Sequence, residues 1–219
     1  MKQETLRRAE NAHRYLRTSR HAPSPERNVF AVLRDLMPRR TVNVDESDML
    51  AELQATHLLR LAGLKRPAVP TALITELPRV MIAQEPDLPT SASALWVSGR
   101  WLVLLNSTEP ETRQRFSLAH ELKHCLDHPQ RSLLYRDRPD CTARQQAERA
   151  ADMFAAALLM PKVWLRRSWT SGRQTIVELA QEYDVHPRAM ARRLESLGLR
   201  VQPRELHADC PVVHPELHP

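Results

Sequence analysis

The chain has 219 residues, of which 42% are apolar, 26% charged and 5% aromatic, a balance that suits a folded globular protein and excludes a disordered or membrane-embedded one. No apolar run approaches the roughly 18 residues that span a bilayer, the Arg-rich N-terminus lacks the apolar core of an export signal, and three irregularly spaced cysteines make no disulfide framework. A reducing cytoplasm is therefore the expected location, and no membrane partner is expected.

The formal charge of +6 lies entirely in residues 1–40, which hold ten Lys and Arg against four acids. Such a cluster suits either a solvated helix surface or attraction to an acidic partner. Residues 1–20 are rich in helix formers, and Pro23 and Pro25 separate them from a short helix over 29–36 that Pro38 ends. Residues 1–45 thus read as a basic helical extension. Asp45 or Ser47 is placed to cap a helix over 49–61, with apolar residues near helical spacing and Gly63 as its stop. A short helix over 71–76 and a strand over 79–83 follow in a Pro-punctuated stretch. Residues 95–97 and 101–105 flank Ser98-Gly99 and read as a β-hairpin. An acidic linker leads to a helix over 112–127 stopped by Pro129, a polar loop, and a long helix over 143–159 that ends before Pro161. Residues 174–197 read as two or three short helices broken at Val185-His186-Pro187.

The helix over 112–127 contains His120-Glu121-Leu122-Lys123-His124. Positions i and i+4 share a helix face, so both imidazoles can reach one cation, with Glu121 beside the water on it as general base. Taken singly, these are ordinary helix-surface residues, and a third ligand is required. A catalytic zinc takes three protein ligands and leaves a fourth position open. Asp127 and Gln130 occupy the positions where a third histidine motif would need Gly and His, so the third ligand has to come from elsewhere. Glu148, in the next helix, begins the pattern Glu148-x-x-x-Asp152. An acid one turn beyond a ligand can accept the spare N–H of a ligand histidine and fix its orientation, which makes Asp152 the candidate for that role. The expected cofactor is one zinc ion per chain.

The residues Asn106, Arg113-Gln-Arg115-Phe116-Ser-Leu-Ala-His120-Glu121-Leu-Lys-His124, Glu148-Arg-Ala-Ala-Asp152-Met-Phe154-Ala155-Ala-Ala-Leu-Leu159-Met160-Pro161, and the stretch from Leu179-Ala180 to Leu194 and Leu197-Gly198-Leu199 resemble the ImmA/IrrE metallopeptidases. The resemblance covers about residues 50–200. It implies an α+β, mainly helical zincin-like metallopeptidase domain with a small β-sheet, zinc held by two His and a Glu, and cleavage of a helix-turn-helix repressor in immunity or stress responses. Two positions depart from the pattern: Lys123 stands where the family usually has Gly, which implies a weakened metal site or a lysine turned to solvent, and Ala150 replaces an acid found in many members.

The expected organisation is residues 1–45 as the extension, 46–170 as the metallopeptidase domain, 171–200 as a helix-turn-helix-like helical segment and 201–219 as a flexible tail. In the third segment Arg188, Arg192 and Arg193 follow the turn, so the helix is a candidate DNA reader, a packing element, or a docking surface for the repressor. His128, Tyr135 and His186 are candidates for stabilising an oxyanion or lining the cleft. The rival functional reading is a non-proteolytic regulator with a structural metal site that binds a repressor or DNA.

Overall fold

The run at residues 101–105 is apolar at every position, and it becomes the central strand. A computed structural model of the chain describes residues 29–199; the helix predicted for 1–20 and the tail from 201 lie outside the described residues. Strand β1 (Val80–Glu85) runs parallel to β3 (Arg100–Asn106), and β2 (Ala92–Val97) runs antiparallel to it on the other side. Trp101, Leu102, Val103, Leu104 and Leu105 are all buried, as for a strand covered on both faces. Ser98 and Gly99 hold φ of 50° and 79°, the two-residue turn whose twist suits an antiparallel hairpin. Each strand runs one to three residues beyond its apolar pattern, because pairing to β3 continues through Glu85 on one side and Ala92 on the other.

Helix α1 (Val29–Arg34) precedes α2 (Val44–Leu61), and the one-turn α3 (Ala72–Thr75) leads into the sheet. Helix α2 begins earlier than the sequence pattern indicates. Its cap is Asn43 rather than Asp45 or Ser47: the Asn43 side chain accepts the Glu46 N–H, a bond that satisfies one of the helix's orphan donors. Helices α4 (Glu111–Asp127) and α6 (Ala143–Leu159) fall within a residue of their predicted spans. The latter starts in a reciprocal cap between Thr142 and Gln145, which satisfies two donors at once. Between them the expected polar loop forms a 3-10 turn (His128–Gln130) and the one-turn α5 (Arg131–Leu134), since Pro129 breaks the α-helical ladder yet fits the start of a new turn.

Helix α6 packs against both α2 and α4. Its buried residues include Ala147, Ala150, Ala151, Ala155 and Ala157, and such small side chains permit close interaxial approach. Helix α7 (Lys162–Thr170) has no counterpart in the sequence reading; only Leu165 and Ser168 of it are buried, too few to make a periodic signal. Helices α8 (Ile176–Tyr183) and α9 (Pro187–Ser196) follow, broken where predicted, with Asp184 in the left-handed region at φ 52°.

Lys123 does not face solvent. Its side chain is 0% exposed, and its Nζ donates to Gln54 Oε1 at 2.8 Å and to Asp127 Oδ1 at 2.7 Å. Tyr135 donates its hydroxyl to the other Asp127 oxygen, and Gln54 Nε2 donates to the Leu33 carbonyl at 2.9 Å. Burial holds the ammonium below its ordinary value, and Asp127 opposes that shift. The network ties α4 to α1, α2 and the segment after α5. Removing one member of a buried pair strands the other charge, so Asp127→Asn is expected to lower the unfolding free energy by about 3–5 kcal/mol in urea denaturation followed by tryptophan fluorescence. Adding Lys123→Met to that variant is expected to restore part of the loss; strictly additive losses would sink the pairing.

Candidate metal centre

Helix α4 buries Leu118, Ala119, Leu122, Cys125 and Leu126 in the core. Helical periodicity then turns His120, Glu121 and His124 toward the opposite, half-open side. Helix α6, held close by its alanines, brings Glu148 across the gap. The three candidate ligand atoms cluster: His120 Nε2 lies 3.1 Å from His124 Nε2 and 3.3 Å from Glu148 Oε2, and His124 Nε2 lies 3.5 Å from the same oxygen. Ligands about 2.0–2.1 Å from a tetrahedral zinc ion sit roughly 3.3–3.4 Å apart, so these residues fit such a cation. No fourth His, Cys, Asp or Glu joins the cluster among the described residues.

Asp152 stands one turn beyond Glu148, with Oδ1 2.8 Å from His120 Nδ1. An ionised carboxylate only accepts, so Nδ1 carries the proton and Nε2 presents its lone pair to the cluster. Burial lowers the His120 pKa, but Asp152, Glu121 and Glu148 outweigh it and leave the ring above its ordinary value. His124 is shifted down, by burial first and then by His120. Glu121 is shifted up, by burial first and also by Glu148, while His120 and the backbone N–H of Ala94 on β2 favour its ionised form. A desolvated carboxylate of raised basicity beside a cation site is suited to accept a proton.

The cluster opens into a cleft of about 770 Å³. His120, Glu121, Glu148 and Asp152 line it together with Phe116, Ser91 and Ala92, and on the far side with His186, Arg188 and Arg192 of the α9 region. Of the remaining candidates only His186 lines this cleft. Its Nδ1 accepts the Arg188 N–H at 3.2 Å and caps α9. His128 is exposed, its ring edge-on to Trp101 with centroids 5.0 Å apart. Tyr135 is buried, its phenol raised well above the usual range by burial and by Asp127. Sequence reasoning leaves the α9 arginines open between a DNA reader, a packing element and a docking surface; the fold places Arg188 and Arg192 in the lining of the cleft.

Residues 79–195 match the family model Peptidase_M78, described as the IrrE N-terminal-like domain. Over 116 residues the chain is 34% identical to the radiation response metalloprotease IrrE of Deinococcus deserti, covering 50% of this chain and 40% of that protein. A Mycobacterium tuberculosis transcriptional regulator has a similar fold, with a TM-score of 0.50 and 18% identity over 81% of this chain and 53% of that one. The chain thus spans less than half the length of the curated relative and about half that of the structural one.

Elemental analysis should find about one metal ion per chain in the wild type and none in His120→Ala or Glu148→Ala; retention in both would sink the site. Asp152→Asn is expected to weaken metal affinity roughly 10–100-fold in chelator competition. Metal uptake should also weaken as pH falls, because the cation competes with the proton held on His120.

Proposed function

The chain belongs to the Peptidase_M78 family, the IrrE N-terminal-like domain, and from that premise we propose that it is a zinc-dependent endopeptidase that cleaves a helix-turn-helix transcriptional repressor in a mobile-element immunity or stress response. The observation that carries this reading is the convergence of His120, His124 and Glu148 beside Glu121 at the wall of an open cleft. Three protein ligands suit a catalytic site, whereas structural zinc sites are closed by four, and this weighs against a regulator with a structural metal. The name of the curated relative, a radiation response metalloprotease, supports proteolysis.

His120, His124 and Glu148 would hold the ion, with Asp152 fixing the His120 tautomer. Bound zinc would supply Lewis acidity, polarising the scissile carbonyl and lowering the pKa of water toward about 7. Glu121 takes the proton from the attacking water and delivers it to the leaving amine. His186 is the candidate for stabilising the oxyanion: Nδ1 accepts the Arg188 N–H, so Nε2 is the ring nitrogen that can donate to developing negative charge.

The test is incubation of zinc-loaded protein with helix-turn-helix repressors from the same genome, read by intact-mass spectrometry. The wild type should yield two fragments. Glu121→Gln should keep about one zinc per chain and cut at least roughly 100-fold more slowly. An intact repressor with the wild type, or equal rates in the two proteins, would overturn the reading.

A further inference from the structure

The charges that line the cleft are neutralised unevenly. Arg149 pairs with Asp48 at 2.8 Å, Arg113 with Glu109 at 3.1 Å, and Arg193 with Glu52 at 3.1 Å. Glu148 and Asp152 face the histidines. Of the basic side chains Arg188 and Arg192 remain: both are exposed, both line the cleft, and neither makes a side-chain hydrogen bond or ion pair with any described residue. They stand four positions apart on α9, so they share one side of the helix, where two guanidinium groups repel each other unless an anion lies between them.

Helix α9 is fixed in this orientation. Arg193, 3% exposed, donates Nε to the Met160 carbonyl at 3.2 Å and pairs with Glu52 of α2. Met190 and Leu194 are buried beside it. The turn before α9 is held too, since Asp184 pairs with the buried Arg115 of α4 at 2.6 Å. A DNA-reading helix has to protrude to enter a major groove about 12 Å wide. Here the basic side forms a wall of the same cleft that holds His120 and Glu121.

We propose that Arg188 and Arg192 are specificity-determining residues that bind Asp or Glu side chains of the peptide substrate on one side of the scissile bond. This rests on the peptidase reading given above. Guanidinium groups pair carboxylates through directional, charge-assisted hydrogen bonds, and two such groups in a cleft select for an acidic segment more than they add raw affinity.

The test uses zinc-loaded Glu121→Gln protein, chosen because its cutting is expected to be slow, and two fluorescein-labelled 12-residue peptides of alternating Glu and Ala or alternating Gln and Ala. Fluorescence anisotropy should show the Glu peptide binding about fivefold or more tightly than the Gln peptide at low salt, with the preference shrinking as sodium chloride rises. Adding Arg188→Gln and Arg192→Gln should abolish the preference while leaving Gln-peptide binding, zinc content and circular dichroism unchanged. Equal affinity for the two peptides, or a preference that survives the double substitution, would overturn the proposal. So would a labelled DNA duplex that binds through these arginines more tightly than the Glu peptide. A wild type that cuts no repressor while this variant still prefers Glu overturns the peptidase reading and with it the substrate role of the two arginines, leaving only their preference for acidic peptides; a wild type that cuts, without any preference for Glu, overturns this proposal alone.

Discussion

Three ligand atoms from two helices can meet within 3.5 Å only if the helices themselves lie close, and the packing of α4 on α6 supplies that closeness. The residues of α6 that turn inward are mostly alanines, so the backbone carrying Glu148 and Asp152 can approach the one carrying His120 and His124. Larger residues at these buried alanines would strain the packing of α6, because cores this dense do not absorb added methylenes without strain. The chemistry of the site is in this sense a consequence of side chains that have none.

A short interhelical distance has to be maintained against the repulsion of a crowded polar cluster, and ties on the far side of α4 do this. Lys123 reaches away from the cleft into a buried network with Asp127, Gln54 and Tyr135. A buried ion pair contributes little net stability, but it fixes one arrangement, since any slip of α4 would strand a charge in the core. Lys123 and His124 are neighbours in sequence and lie about 100° apart around the helix, so a fixed lysine also fixes the rotation of the histidine face. Arg115 does the same at the helix's other end through Asp184 and the Val69 carbonyl.

Much of this was legible in the sequence, and the exceptions have physical reasons. The spans of α4 and α6 follow from apolar periodicity bounded by prolines, and the grouping of His120, His124 and Glu148 follows from helical spacing plus the ligand count of zinc. The start of α2 was missed because Asn43, Asp45 and Ser47 can all cap, and only the folded chain shows which side chain meets an N–H. Strand β2 reads short because it begins Ala-Ser-Ala, residues of weak β preference that pair because β3 is there to receive them. Lys123 is the sharpest case: a charged residue in a helix is exposed far more often than not, and the partners that bury it lie 69 residues away at Gln54 and four away at Asp127.

The three arginines of α9 show the same limit from the side of function. In a linear reading Arg188, Arg192 and Arg193 follow one turn and fit a DNA reader, a packing element or a docking surface alike. On the helix, Arg192 and Arg193 differ by about 100° and Arg188 and Arg193 by about 140°, so the burial of any one decides where the others point. Arg193 is the one buried, between α2 and α6, and Arg188 and Arg192 are carried to the rim of the cleft. Which arginine faces the core depends on Glu52 and the Met160 carbonyl, two partners that periodicity within residues 176–197 cannot reveal. The orientation of a basic helix is thus settled by its least exposed cation, and its ligand is set by what that orientation makes it face.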